Sequence, residues 1–358
     1  MPAHADTLAG PPVFIGAGLY ANDATETSSN NIGLMYSDVS GEAIYYQVIA
    51  NKITQKPRVT LFQATPALKA SAAGLIPLSK GDMLVGYSNS QGLTTRVVYN
   101  DDFAGGETLL GSDSGASGGF LFQLADRGMA VLTTPVVDNR FIGFIRYVTK
   151  TGKALAISAK ISRGLFLVST PFKSGFIVKR YKPYRSPSRP GFVRAQIYGA
   201  EGKKVGPEKT LEEPPSSLDA NFTNVYGLAD GFIVVMRRTR TGSAAEVSAE
   251  VFNSEWELVE PRKVLAKITS SDGYELEPLP AGGFILAIQK GAKAEIEMRR
   301  YRSSLEPAST PLWISPQSGA RISSIVAREQ GDIFITYSSP NSSLPERPYL
   351  YGQFIAPD

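Results

Sequence analysis

Cysteine is absent from the 358-residue chain, and histidine occurs once, at position 4. Disulfides, thiol nucleophiles and nearly all zinc, copper and haem sites are excluded, because each needs a thiolate or an imidazole. Ser-His-Asp triads and histidine-based lyase mechanisms are excluded with them. With no titrating imidazole beyond position 4, little response to pH between about 5 and 8 is expected. Long hydrophobic runs are also lacking. The longest, 231–236 and 283–288, have strand length and fall far short of the ~20 residues that cross a bilayer, so no transmembrane segment is expected. Neither sign of charge dominates, with 37 basic and 33 acidic residues giving +4. A composition of 42% hydrophobic and 20% charged residues belongs to a folded globular chain and excludes disorder and collagen.

What is present is repetition. A glycine followed by an apolar β-type run recurs at Gly33, Gly81, Gly128, Gly175, Gly231, Gly283 and Gly331, at intervals of 48, 47, 47, 56, 52 and 48 residues. Each unit parses into four strands, with the glycine as the turn between the first and second. First strands include 13–16, 119–124, 165–169, 225–228 and 322–327; third strands end in an aromatic, as at Tyr99, Tyr147, Tyr198, Phe252, Tyr301 and Phe354. Short outer strands carry a small or β-branched residue before Leu, at Leu61, Leu109, Leu155, Leu211, Leu265 and, after a proline, Leu312. The seventh unit ends without one. Residues 6–10, Asp-Thr-Leu-Ala-Gly, read like 107–111, Glu-Thr-Leu-Leu-Gly, and supply the missing strand from the N-terminus. Such an exchange closes a ring and removes its free edges.

This pattern resembles the β-propeller superfamily of bacterial exported repeat proteins. The resemblance implies an all-β, seven-bladed propeller of four-stranded blades closed by the N-terminal strand, with six or eight blades as alternatives. WD40 and sialidase-type signatures are missing. Residues 19–31, rich in Asn, Ser and Thr, are expected to form a surface loop in the first unit, and residues 64–75 a linker or a helical turn. Ala3-His4-Ala5 has the small-x-small form of a signal-peptidase site, so residues 1–5 read as a signal-peptide remnant, 6–358 as the propeller domain and the protein as exported, periplasmic or secreted.

Basic residues concentrate in units 4 and 5. Arg180, Tyr181, Lys182, Tyr184, Arg185 and Arg189 are followed by Arg237, Arg238 and Arg240, all placed by the repeat in second-to-third-strand turns of adjacent blades. Side by side on one face, they would form the ligand-binding site for an anionic partner: a protein, an acidic polysaccharide or a lipid headgroup. Nucleic acid is not an expected partner, and a monomer is expected. Carboxylates offer the competing chemistry. Glu246, Glu250, Glu295 and Glu297 fall on third strands, and Glu275 and Glu277 flank the first strand of unit 6. Asp23 and Asp101-Asp102 are candidate calcium ligands, but no calcium loop motif surrounds them, so neither metal nor cofactor is expected. The leading expectation is therefore a non-enzymatic recognition or scaffold protein. A cofactor-free, carboxylate-based glycoside hydrolase is the alternative, and a lectin the third reading.

Overall fold

The computed structural model describes residues 6–357, apart from 28–30, 51–53, 66–69, 90–91, 101–103, 111–117, 125–127, 137–139, 150–152, 183–191, 213–222, 270–271, 291–294, 315–319, 341–342 and 344–346. Nearly all of it is antiparallel β-structure. Two short strands, β1 (Thr7–Leu8) and β2 (Val13–Ala17), belong to the last sheet. The first sheet holds β3 (Leu19–Glu26), β4 (Ile32–Asp38), β5 (Ala43–Ala50), β6 (Thr54–Gln55) and β7 (Val59–Gln63). The second holds β8 (Ala70–Pro77), β9 (Met83–Asn89), β10 (Gly92–Val98) and β11 (Thr108–Leu109). The third is larger: β12 (Gly118–Gln123), β13 (Gly128–Val136), β14 (Arg140–Val148), β15 (Ala154–Phe172), β16 (Gly175–Lys182), β17 (Phe192–Tyr198) and β18 (Lys204–Glu212). The fourth runs through β19 (Thr223–Gly227), β20 (Ile233–Thr241), β21 (Ala244–Phe252) and β22 (Leu258–Thr269). The fifth comprises β23 (Tyr274–Pro278), β24 (Phe284–Lys290), β25 (Glu295–Tyr301) and β26 (Leu312–Ile314). The sixth joins β27 (Arg321–Ala327), β28 (Ile333–Ser339) and β29 (Tyr349–Ala356) to β1 and β2.

The described strands thus make six blades, where the seven glycine-led runs favoured seven. The reason is β15. Its 19 residues pair with β14 through Ala154–Gly164 and with β16 through Leu165–Phe172, so the outer strand of unit 3 and the inner strand of unit 4 are one continuous strand. No glycine or proline turn interrupts 154–163, and the pairing simply continues. The first unit is also corrected. Residues 13–17 are not its inner strand but pair with β29, and Leu19–Glu26, expected as a surface loop, is the inner strand. Phe14 consequently lies half-exposed against Tyr349 and Tyr351 instead of in the core. In the stretch 64–75, residues from Ala70 onward form the inner strand β8.

The blades pack face to face around an axis, each junction filled by one apolar layer. Tyr36 and Phe334 lie between the sixth and first sheets, Tyr46 and Tyr87 between the first and second, and Leu93 and Leu121 between the second and third. Ile177 and Val235 lie between the third and fourth, Val234 and Leu286 between the fourth and fifth, and Ile285 and Ile335 between the fifth and sixth. Inner strands approach closely at the axis. A Cβ on Gly227 would stand 2.4 Å from the Pro171 carbonyl oxygen, so the contact between β19 and β15 admits only glycine.

Closure follows the expected exchange. Thr7 pairs with Ala356 and Leu8 with Ile355, and the Ala9 amide donates to the Phe354 carbonyl. Charge reinforces the seam: Arg300 Nε donates to both Asp6 carboxylate oxygens at 2.8 and 2.9 Å, and its Nη2 reaches the Gly331 carbonyl. Between the last and first sheets, Arg328 bridges Glu26 (3.1 Å) and Asp332 (2.8 Å), while Glu26 also accepts the Glu329 amide. Removing one partner of a largely buried pair strands the other charge. Arg300→Ala should therefore lower unfolding stability by ~2–3 kcal/mol, and deletion of residues 6–10 by more, in denaturant titrations. A loss below ~0.5 kcal/mol for both variants would show that the ring holds without its N-terminal strand.

Candidate functional site

The basic residues singled out in the sequence are placed as follows. Arg180 lies in β16 and its guanidinium pairs with Glu208 of β18, which also faces Arg194 at 3.4 Å. Arg237, in the middle of β20, pairs with Glu250 of β21 and donates to the Leu211 carbonyl at 3.1 Å. Arg238 is buried and donates to the Thr269 carbonyl at 3.2 Å, and the exposed Arg240 lies near the strand end. These residues stand within strands and not in turns, because β20 continues to Thr241 and leaves only Gly242 and Ser243 as the connection. Tyr181 and Lys182 end β16, while Tyr184, Arg185 and Arg189 lie outside the described residues. The third-strand glutamates Glu250 and Glu297 serve internal ion pairs, the first with Arg237 and Arg262, the second with Lys290 and Arg299.

The inner strands carry a different cluster. Alternation along β23 sends Leu276 into the core and sets Glu275 and Glu277 on the opposite side. Glu277 accepts the Ala327 amide of β27, and it feels the charge of Asp23 of β3, two inner strands further round the ring. Asp23 is held by two amides, those of Ala24 and Leu75, each at 2.9 Å. Glu275 is exposed and Asp23 and Glu277 are half-buried, with protein packed around each carboxyl. Withdrawal from bulk water disfavours the charged form and outweighs the amide hydrogen bonds. The carboxyl of Asp23 is pushed up to about 6, that of Glu275 to about 7 and that of Glu277 to about 8. Mutual repulsion adds to the effect at Glu277. Histidine is therefore not needed for titration near neutrality, and the expected insensitivity between pH 5 and 8 is corrected by three carboxyl groups that change charge in that window.

A polar chain continues from this cluster into the fourth and third sheets. Tyr226 and Tyr274, both held neutral by burial, share Asn224 as a hydrogen-bond partner. Lys179 of β16 is buried and donates to Asn224 Oδ1 at 2.8 Å and to the Thr223 carbonyl at 2.5 Å, and desolvation lowers its ammonium to about 8. Among the described residues no three acidic or histidine side chains are placed to hold a metal ion. Asp101 and Asp102 lie outside the described residues. Sequence reading noticed Glu275 and Glu277 but not their convergence with Asp23. A polar strand lining an axial channel has the composition of a loop, and the alternation in 19–26 is too weak to separate the two.

No protein-family model matches the chain, and no curated protein matches it. Solved structures are similar in shape. Prolyl oligopeptidase B from Galerina marginata, bound to a 25mer macrocyclization substrate, aligns with 90% of this chain and 47% of its own at TM-score 0.52 and 10% identity. Drosophila Plexin A, in complex with Semaphorin 1b, aligns with 99% of this chain and 88% of its own at TM-score 0.50 and 9% identity. Drosophila Semaphorin 1b, extracellular domains 1-2, gives TM-score 0.50 and 9% identity over 100% and 88%. At these identities the likeness concerns the fold alone, and the chain has the β-propeller fold. Among the described residues no helix is long and apolar enough to cross a membrane.

The carboxyl cluster sets a sign for stability. Its members bind protons more tightly folded than unfolded, so their contribution is fully present below about pH 4 and is lost as pH rises through about 6 to 8. Glu277→Gln removes the largest of these effects while keeping an acceptor for the Ala327 amide. The variant should gain at least ~1 kcal/mol over the parent at pH 8.5 and nothing at pH 4, as read from urea midpoints. Parallel pH curves for parent and variant would mean that Glu277 ionises without cost in the folded ring.

Proposed function

We propose that the protein hydrolyses glycosidic bonds in its axial channel, with Glu277 as general acid and Asp23 as general base. The observation that carries this reading is the placement of Asp23, Glu275 and Glu277 on inner strands of the first and fifth sheets, near enough for the charges of Asp23 and Glu275 to raise Glu277. Their environments separate their roles: near pH 7 a carboxyl titrating about 8 is mostly protonated and one titrating about 6 is mostly ionised. Glu277 would give its proton to the leaving glycosidic oxygen as the bond to the anomeric carbon breaks. Asp23 would take a proton from the water that attacks that carbon from the opposite side. Burial chiefly keeps Glu277 protonated, and the charges of Asp23 and Glu275 add to it. β27 stands between β3 and β23, which favours the wider carboxyl separation and the inverting stereochemistry that admits a water.

Recognition of an anionic partner, the leading expectation from the sequence, drew on the cationic sector of units 4 and 5. Arg180 and Arg237 commit their charges to Glu208 and Glu250 within their own blades, which moves the reading from that face to the channel.

The test is reducing-end release from a panel of neutral and acidic polysaccharides, followed by a pH profile on the best substrate. kcat/KM should form a bell with limbs near the titrations of Asp23 and Glu277, about 6 and 8. Glu277→Gln and Asp23→Asn should each lower kcat by ~10²-fold or more. Full activity in both variants, or no release from any glycan, would remove the channel from consideration as a catalytic site.

A further inference from the structure

Away from the axis, a cleft of about 400 Å³ opens between the first and second sheets. That volume is within the range of small-molecule sites. Two of its walls are pre-set. Arg96 of β10 is fixed by two backbone carbonyls, Nε to Gly105 at 3.0 Å and Nη1 to Leu61 of the neighbouring blade at 3.0 Å. Glu107 is fixed by the Tyr87 hydroxyl, which donates to its Oε1 at 2.6 Å. Arg96 Nη2 and Glu107 Oε2 have no partner among the described residues, and the two side chains face each other at 4.0 Å. The Arg96 side chain is partly open to solvent and that of Glu107 is exposed, while Phe62 and Tyr87 behind them are buried in the apolar layer between the two sheets.

We infer that this cleft is a second site, separate from the channel, for a neutral hydroxyl-rich ligand such as one sugar unit of a glycan. The charges select for neutrality: a carboxylate would meet Glu107, an ammonium would meet Arg96, and the pair offsets itself. Their spacing selects for neighbouring hydroxyls, one oxygen accepting from the guanidinium while the next hydroxyl donates to the carboxylate. Holding both charged groups through backbone and tyrosine contacts removes part of the ordering cost of binding. This inference does not depend on catalysis in the channel.

Titration of the full chain with glucose, maltose, cellobiose and diacetylchitobiose, followed by amide NMR and calorimetry, tests it. At least one probe should shift the signals of Gln63, Asn89 and Thr94, with an affinity unchanged between low and high salt. Glu107→Gln should weaken that binding at least tenfold without changing the melting temperature, and Arg96→Lys should weaken it similarly. Glu277→Gln should leave it intact, which separates this site from the channel. No shift with any probe, equal affinity in both cleft variants, or binding of glycine or acetate in place of the sugars would overturn the inference.

Discussion

Each apolar layer of this ring is shared between two neighbouring blades, so no blade holds a core of its own. Phe334 of the sixth sheet packs with Tyr36 of the first just as Val234 of the fourth packs with Leu286 of the fifth. Burial of side chains such as Phe284 and Phe334 therefore depends on both neighbours being present. A gap at any junction would expose two apolar faces at once. Asp6 with Arg300 ties the N-terminal segment of the last sheet to the fifth, and Arg328 with Glu26 ties the last sheet to the first.

The inner-strand carboxyls depend on the same closure. Carboxyls raised by burial oppose folding whenever they ionise, and only a scaffold stabilised elsewhere can hold them there. Backbone amides from the neighbouring inner strands fix Asp23 and Glu277, so the blades that bury the groups also orient them. In an open ring, water would enter and their titrations would return toward ordinary carboxylate values.

The architecture was largely legible in the sequence because glycine turns and strand-length apolar runs are local signals. Pairing of residues 6–9 with the last sheet was legible because a short Thr-Leu pattern was duplicated. Blade count was not, because nothing in 154–172 distinguishes two strands separated by a bend from one strand that runs through. Nor was the role of residues 19–26: only Leu19, Ala21 and Ala24 meet the core and the other residues are mostly polar, too weak an apolar alternation for a strand to be recognised. The pairing of Arg180 and Arg237 was hidden for a related reason. Charge in sequence gives no hint of whether a partner waits on the adjacent strand, and Glu208 and Glu250 are 28 and 13 residues away from the arginines they neutralise.

Pairing of β1 with β29 also fixes an order in time. Thr7 and its partner Ala356 lie 349 positions apart in the sequence. β1 cannot form its ladder until the residues between them have been made, and until then β29 has an unpaired edge. Contacts of this sequence separation form slowly, and the waiting interval is when such an edge is most open to pairing with another chain. The last sheet therefore cannot reach its final form before the whole polypeptide is available.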